Sequence, residues 1–391
     1  MFLISNIHIF IILVVAPLCL QNVTLIPFGE AGLKVFHLSI AAFGLYWLYS
    51  LTFNINLSPP LMFIGLLVII SLLVGTVYGI SSLFINYLFI FVLGLVIAAY
   101  PEPFSFAVFR QSLFIIAIPV FLYVILNIVF NLEAVIVAQA FNIKFGGRPI
   151  IPNMLFSGGW NIEATYLAML SVLFIRSRWF IFFISITLLV SIAYLSRTGL
   201  VLSLVLMVCW VFFALYDRVS AFTLFLFIPV LLLSLFILFL IVGFYLDISV
   251  VKRLFIIGSE PGSQGRLDIL QYVIPGLLDS MFFGYGPGNS MDKLIAMGLE
   301  TNNNNLHNYY LQVLLDFGFL GLIAYVLFIC YFLFNPHIAL EFKLFLSLYL
   351  LASFVQFRGA EPLIWSILFF AFLVNPQKSN TSPLYQPAVM G

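Results

Sequence analysis

Charge is what this chain has least of: only 7% of its 391 residues are Asp, Glu, Lys or Arg. A soluble domain carries about a quarter. No soluble fold hides a hydrophobic content of 64%, so the class is a polytopic membrane protein. The net charge of +1 provides no basic field for nucleic acid, and no such partner is expected. Cysteine is scarce as well. Cys19, Cys209 and Cys330 all fall within apolar runs, which argues against a disulfide framework or a thiolate metal site and reads each as a small core residue. The chain also lacks a DxD, an HExxH and any paired carboxylates on one loop. A metal-assisted phosphate mechanism is therefore disfavoured, and no metal or cofactor is expected.

What is present is one apolar run after another. A helix crosses the hydrocarbon with about 20 residues. Runs of that kind begin near Phe2, Leu33, Leu61, Leu83, Ser112, Ile162, Trp179, Thr198, Ala221, His307, Phe342 and Leu363. That predicts an all-α polytopic integral membrane protein, a single transmembrane domain over 1–391, with about twelve helices (about 10–13). The first run, "FLISNIHIFIILVVAPLCL", has neither a basic n-region nor a small-x-small cleavage site, so it reads as a span rather than a signal peptide.

Short-loop Lys and Arg set the orientation. With the N-terminus inside, Arg110, Arg176, Arg178, Arg218, Lys343 and Lys378 are cytoplasmic, against Lys34, Arg197 and Arg358 outside. The bias supports an even number of spans with both termini in the cytoplasm. Two outer loops are long, 131–161 and 246–306, and function on a membrane scaffold tends to sit in such loops. The second carries apolar residues at helical spacing (Leu267, Ile269, Leu270, Val273, Ile274, Leu277) with charges at Arg266, Asp268 and Asp279. This predicts an amphipathic helix over 266–280 on the outer face, broken by "FFGYGPGN".

Only 4 histidines occur, and one sits in "NNNNLHNYYLQVLLDFGFLGLI", 302–323. Asn304 and Asn305 are good N-caps, which predicts that the apolar helix starts right after them with His307 in its first turn. The positive end of a helix dipole disfavours imidazolium there. A neutral imidazole can accept a proton as a general base; an interfacial His that only bonds a loop is the alternative. Arg197, in "YLSRTGLVLSLVL", stands between two apolar runs, and Ser196 could cap the span that follows. It either snorkels or meets an anion. Arg266 opens the amphipathic segment, Arg358 has Glu361 three residues on, and Arg148 and Lys144 lie in the first long loop. Several outer arginines suggest a polyanion, because guanidinium binds phosphate bidentately. Trp160, Tyr285, Tyr309 and Tyr310 could stack on sugar faces or anchor at the interface.

Three segments together resemble the O-antigen polymerase and O-antigen ligase superfamily: "SRTGL" at 196–200, "GRLDILQYVIPGLLDSMFFGYGPGNS" at 265–290, and "LHNYYLQVLLDFGFLGLI" at 306–323. The likeness covers the C-terminal half. It implies a GT-C-like membrane glycosyltransferase in the bacterial inner membrane, with its active site on the periplasmic face. It implies His307 as the base that activates the acceptor, Arg197 and Arg266 as the clamp on a lipid pyrophosphate, and Arg358, Asn308, Arg148 and Tyr310 as substrate-binding residues. Lipid-linked oligosaccharide repeat units are the expected substrates, and a separate chain-length regulator is an expected partner. The idiosyncratic loop "KFGGRPIIPNMLFSGGWN" and the Phe-rich body, with 46 Phe, favour a polymerase. The alternative is a ligase transferring polymer to lipid A-core. A flippase is more distant, since the spans are nearly bare of ionisable groups, Glu163 and Asp316 apart, and no internal repeat is evident.

Overall fold

The computed structural model describes residues 6–26, 33–37, 57–100, 103–141, 153–156, 159–216, 241, 269, 271–278, 282–299, 306, 308–357 and 359–374. The ordered elements are almost all helical: α1 (Asn6–Leu18), α2 (Pro59–Tyr78), α3 (Ser82–Ala98), α4 (Phe106–Phe130), α5 (Leu132–Phe141), α6 (Trp160–Val172), α7 (Phe180–Ala193), α8 (Arg197–Tyr216), α9 (Asn289–Ala296), α10 (Tyr309–Phe334), α11 (Leu340–Ser353) and α12 (Pro362–Phe370). A small antiparallel pair, β1 (Thr24–Ile26) and β2 (Leu33–Lys34), completes them.

Among the described residues, four helices are long and apolar enough to cross a membrane: Pro59–Tyr78, Phe106–Phe130, Arg197–Leu215 and Tyr309–Phe334. Asn6–Leu18, Leu83–Ala98 and Phe180–Ala193 are shorter apolar helices. α2 shows why lipid is the surrounding medium. It buries Leu61, Ile64, Leu67, Val68 and Val74 inward, yet Met62, Ile69, Leu73 and Val77 are exposed on its other side. A helix apolar on both faces needs hydrocarbon outside as well as a core inside. α12 differs: all nine of its residues are buried, so it is a central helix. The span expected near Ala221 lies outside the described residues.

Several boundaries differ from expectation, each for a local reason. The span expected at Ser112 begins at Phe106. Ser105 caps it, its Oγ accepting from the Val108 amide at 3.4 Å, and Arg110 folds over the Phe106 ring. The run expected at Leu33 opens instead as strand β2. The two long loops contain helices of their own, α5 in the first and α9 in the second. Of the amphipathic helix expected over 266–280, residues 271–278 are described and helical. Cys19 is buried as expected, whereas Cys330 is exposed on α10, because the outer face of a lipid-bound helix takes apolar side chains too.

α6 packs on α7, α8 and α11; α1 on α4; α12 on α3; and α10 on α2. Among the described residues, Arg176 and Arg197 lie toward opposite ends of this bundle. Arg176, in the turn between α6 and α7, lies over the Phe213 ring at 5.3 Å. Phe213 and Arg197 are 16 residues apart on α8 (213 − 197), about 24 Å at the α-helical rise. Phe104 bridges Val374 at the Arg110 end.

Candidate functional site

The end of the bundle that carries Arg197 is built from three segments. The first is the turn from α7 into α8. Tyr194 is buried, Leu195 takes a positive φ of 52°, and Ser196 then caps α8. The Ser196 Oγ accepts from the Gly199 amide at 3.2 Å, as the sequence leads one to expect. Arg197 is the first residue of α8 and is half-buried. Gly199 is required here because a Cβ would sit 2.8 Å from that of Ala164 on α6. The two helices therefore meet at backbone distance just inside the Arg197 turn.

The second segment is the start of α10. The cap is Asn308, whose Oδ1 accepts from the Leu311 amide at 3.1 Å. The helix thus begins at Tyr309, later than the Asn304–Asn305 cap would place it. Asn308 caps the helix because its short carboxamide lies where it can reach the third amide. His307 precedes the cap in the chain and lies outside the described residues. Leu306, before it, is held by a buried network that sequence reasoning missed. Gln312 Oε1 accepts from the Leu306 amide at 3.3 Å, and Gln312 Nε2 donates to Ser290 Oγ at 2.8 Å and to Asp316 Oδ2 at 2.7 Å. Asp316 Oδ2 also accepts from the Gly288 amide at 3.4 Å. The visible signal was a lone acid within an apolar run with Gln one turn before it.

This network joins two of the three sequence segments singled out above. The "GYGPGN" chain runs against α10: Tyr285 and Gly286 donate to the carbonyls of Leu315 and Asp316, each at 2.9 Å. α10 breaks there, with Gly318 at φ 65° and ψ −165°. A Cβ on Gly284 or Gly318 would run into the opposing backbone, so glycine on both sides is what lets the two main chains cross. Ile269 and Val273 pack with Tyr285, Met291, Leu294, Leu299, Leu306 and Leu315 in a small core beside the helical bundle.

The third segment is the loop from α11 to α12. Glu361 accepts from the Gly359 amide and from the Tyr349 hydroxyl, the latter at 3.0 Å, and Trp365 Nε1 donates to the Gly359 carbonyl at 2.8 Å. Gly359 has φ 87°, and a Cβ on it would collide with the Tyr309 ring. The loop that carries Arg358 in sequence is therefore pressed onto the first residue of α10. Arg358 itself, like Arg266 and Arg148, lies outside the described residues.

α6 ties the first and third of these segments together. Glu163, completely buried, accepts from the Leu155 amide at 2.8 Å, the Phe156 amide at 3.3 Å and the Tyr194 hydroxyl at 3.2 Å. Thr165 Oγ1 lies 2.7 Å from both the Asn161 carbonyl and Gln356 Oε1. Ser196 Oγ reaches the Asn161 carbonyl at 3.4 Å.

The aromatic residues divide. Tyr285 and Tyr309 are fully buried, Tyr285 donating to the Gly276 carbonyl at 3.0 Å, so neither offers a ring face outward. Trp160 is buried 5.9 Å from the Tyr194 ring. Tyr310 is half-buried, donates to the Leu350 carbonyl at 2.7 Å and packs 4.6 Å from Phe354.

Residues 179–326 match a family described as O-antigen ligase. The match takes in α7, α8, α9 and the first part of α10, with the positions of Arg197, Arg266 and His307 inside it and α6, Arg148 and Arg358 outside. It spans 148 residues (326 − 179 + 1), under half of the chain. Over that stretch the resemblance to the O-antigen polymerase and ligase superfamily holds. No curated protein matches the chain.

Proposed function

We propose, on the premise that residues 179–326 carry the O-antigen ligase family pattern, that this protein is a membrane glycosyltransferase of the polymerase kind. It joins polyprenyl-pyrophosphate-linked repeat units at the periplasmic face of the bacterial inner membrane, through about twelve spans with both termini cytoplasmic and a GT-C-like architecture. The observation that carries this reading is the convergence at one end of the bundle. The Ser196 cap before Arg197 and the loop that holds Gln356 meet the start of α6, and the Gly359 end of that loop is pressed onto Tyr309 at the start of α10.

The chemistry follows from the residue types. The donor is a glycan joined at its anomeric carbon to a lipid pyrophosphate. An acceptor hydroxyl of the next lipid-linked unit attacks that carbon, the C–O bond to the pyrophosphate breaks, and the glycosidic bond forms. His307 takes the hydroxyl proton. Arg197 and Arg266 hold the departing pyrophosphate, whose negative charge grows as it leaves. Arg358, Arg148, Asn308 and Tyr310 bind the substrates around them. Attack opposite the leaving group inverts the anomeric centre. No metal takes part.

The test uses the purified full chain in liposomes with lipid-linked repeat units. Oligomers on the lipid carrier, formed in EDTA, lost in His307→Ala and carrying inverted linkages, support the reading. Lipid crossing without new glycosidic bonds would make the protein a flippase. The description of the matched family favours a second reading, a ligase. A strain deleted for the protein separates the two by its lipopolysaccharide. Lipid A-core bearing a single repeat unit marks a lost polymerase. Bare lipid A-core, with polymer accumulating on the carrier, marks a lost ligase.

A further inference from the structure

We infer that the first two turns of α6, through Asn161, Glu163 and Thr165, are a positioning element. It sets the spacing of the arginine-bearing turns around the donor's pyrophosphate, although it lies outside the matched family stretch. The inference rests on the reading above.

Three loops that are far apart in sequence end on these two helical turns. Glu163 fixes the 155–156 segment and, through Tyr194, the turn that leads into Arg197. The Asn161 carbonyl meets Ser196, the residue before Arg197. Thr165 meets Gln356, two residues before Arg358 in the chain. The single hydroxyl proton of Thr165 is shared between its own helix and that loop, at 2.7 Å each. The joint is rigid. Glu163, Thr165 and Ser196 are fully buried and Gln356 nearly so, and Gly199 brings α8 against Ala164 with no room for a side chain.

A buried carboxylate that spends its acceptors on two amides and a phenol serves no route across the membrane. It holds strands of chain in place, as the partners of reactive groups commonly do. Arg197 on the pyrophosphate and Arg358 binding the donor beside it grip it well only when the separation of their turns is fixed, because bidentate hydrogen bonding is steep in distance and angle. Thr165 and Glu163 are fully buried, with their polar atoms bonded to the chain itself. They act through the turns they anchor.

The experiment separates donor grip from turnover. In the full chain, Thr165→Val removes the hydroxyl at constant shape. It is expected to raise the KM for the lipid-linked donor and the calorimetric Kd for inorganic pyrophosphate together, by about five-fold, the value of one hydrogen bond. The kcat stays within about two-fold. Thr165→Ser restores both constants. A folded Thr165→Val protein with unchanged KM and pyrophosphate Kd, or with a fallen kcat and steady KM, overturns the inference. Should Thr165→Val fail to fold, Gln356→Met breaks the same contact from the other side and is held to the same outcomes. Arg197→Lys serves as the reference. If it weakens pyrophosphate binding while Thr165→Val and Gln356→Met do not, only the positioning role falls. If the unaltered protein binds no pyrophosphate, the reading beneath it falls as well.

Discussion

Two buried carboxylates stand near the same end of this bundle and are used differently. Glu163 has both oxygens engaged, Oε2 by two backbone amides and Oε1 by a tyrosine hydroxyl. Asp316 is held by Gln312, Gly288 and Ser290, while its Oδ1 makes no hydrogen bond. Glu163 sits where loops are pinned to a straight helix. Asp316 sits where a helix is broken and the 284–286 segment of the same chain crosses it backbone to backbone. At α6 the polar side chains hold the geometry. At α10 the glycines do, and the carboxylate is secondary. Position in an apolar run is therefore a poor guide to what a buried acid contributes; its partners decide.

The largest effect should come from the α10 crossing. Gly318→Val meets both a positive φ and the Phe282 backbone, and should cost about 3–5 kcal/mol. That would show as loss of a monodisperse peak after mild heating in detergent. Gly199→Val meets side chains at an ordinary helical φ and should cost about 1–3 kcal/mol. Equal losses would erase the distinction between strain at α10 and packing at α6.

Next comes Glu163→Leu, which strands two amides and one hydroxyl in the core. About 3 kcal/mol is expected, with Glu163→Gln recovering most of it because an amide oxygen still accepts. A Gln variant as unstable as Leu would mean that the charge, rather than the acceptors, matters at α6. Asp316→Asn keeps an acceptor for Gln312 and Gly288 and should cost about 1 kcal/mol or less. A melting temperature that falls as far as for Glu163→Leu would break the comparison at its other pole. The smallest effect is the cap of α10. Asn308→Ala should lose about 1 kcal/mol and Asn308→Asp almost none, read from thermal unfolding of the two variants beside the parent.

Much of this was legible in the residues. Apolar runs of span length, the Ser196 cap and the breaker role of "GYGPGN" all follow from local chemistry, which sequence carries directly. The Asn308 cap was not legible among six candidate polar residues, because five asparagines differ only in which one finds a free amide. Gln312 went unnoticed because its value comes from Ser290, 22 residues earlier in sequence. Thr165 and Gln356 are 191 apart, and nothing in either local pattern announces the other. Tyr285 and Tyr309 looked like interfacial aromatics, yet the small core and the Gly359 loop cover them.

What the sequence determined by itself was the medium and the alphabet. With 7% charged residues, the backbone must satisfy its own hydrogen bonds as helices in lipid, and the few charged side chains are set apart from that background. What the tertiary structure decided was the company those side chains keep. In a core with almost no water, a polar group is stable only where another chain segment brings its partner. The gathering of α6, the Ser196 turn, the Gly359 loop and the broken α10 at one end is a property of packing that no single run of residues contains.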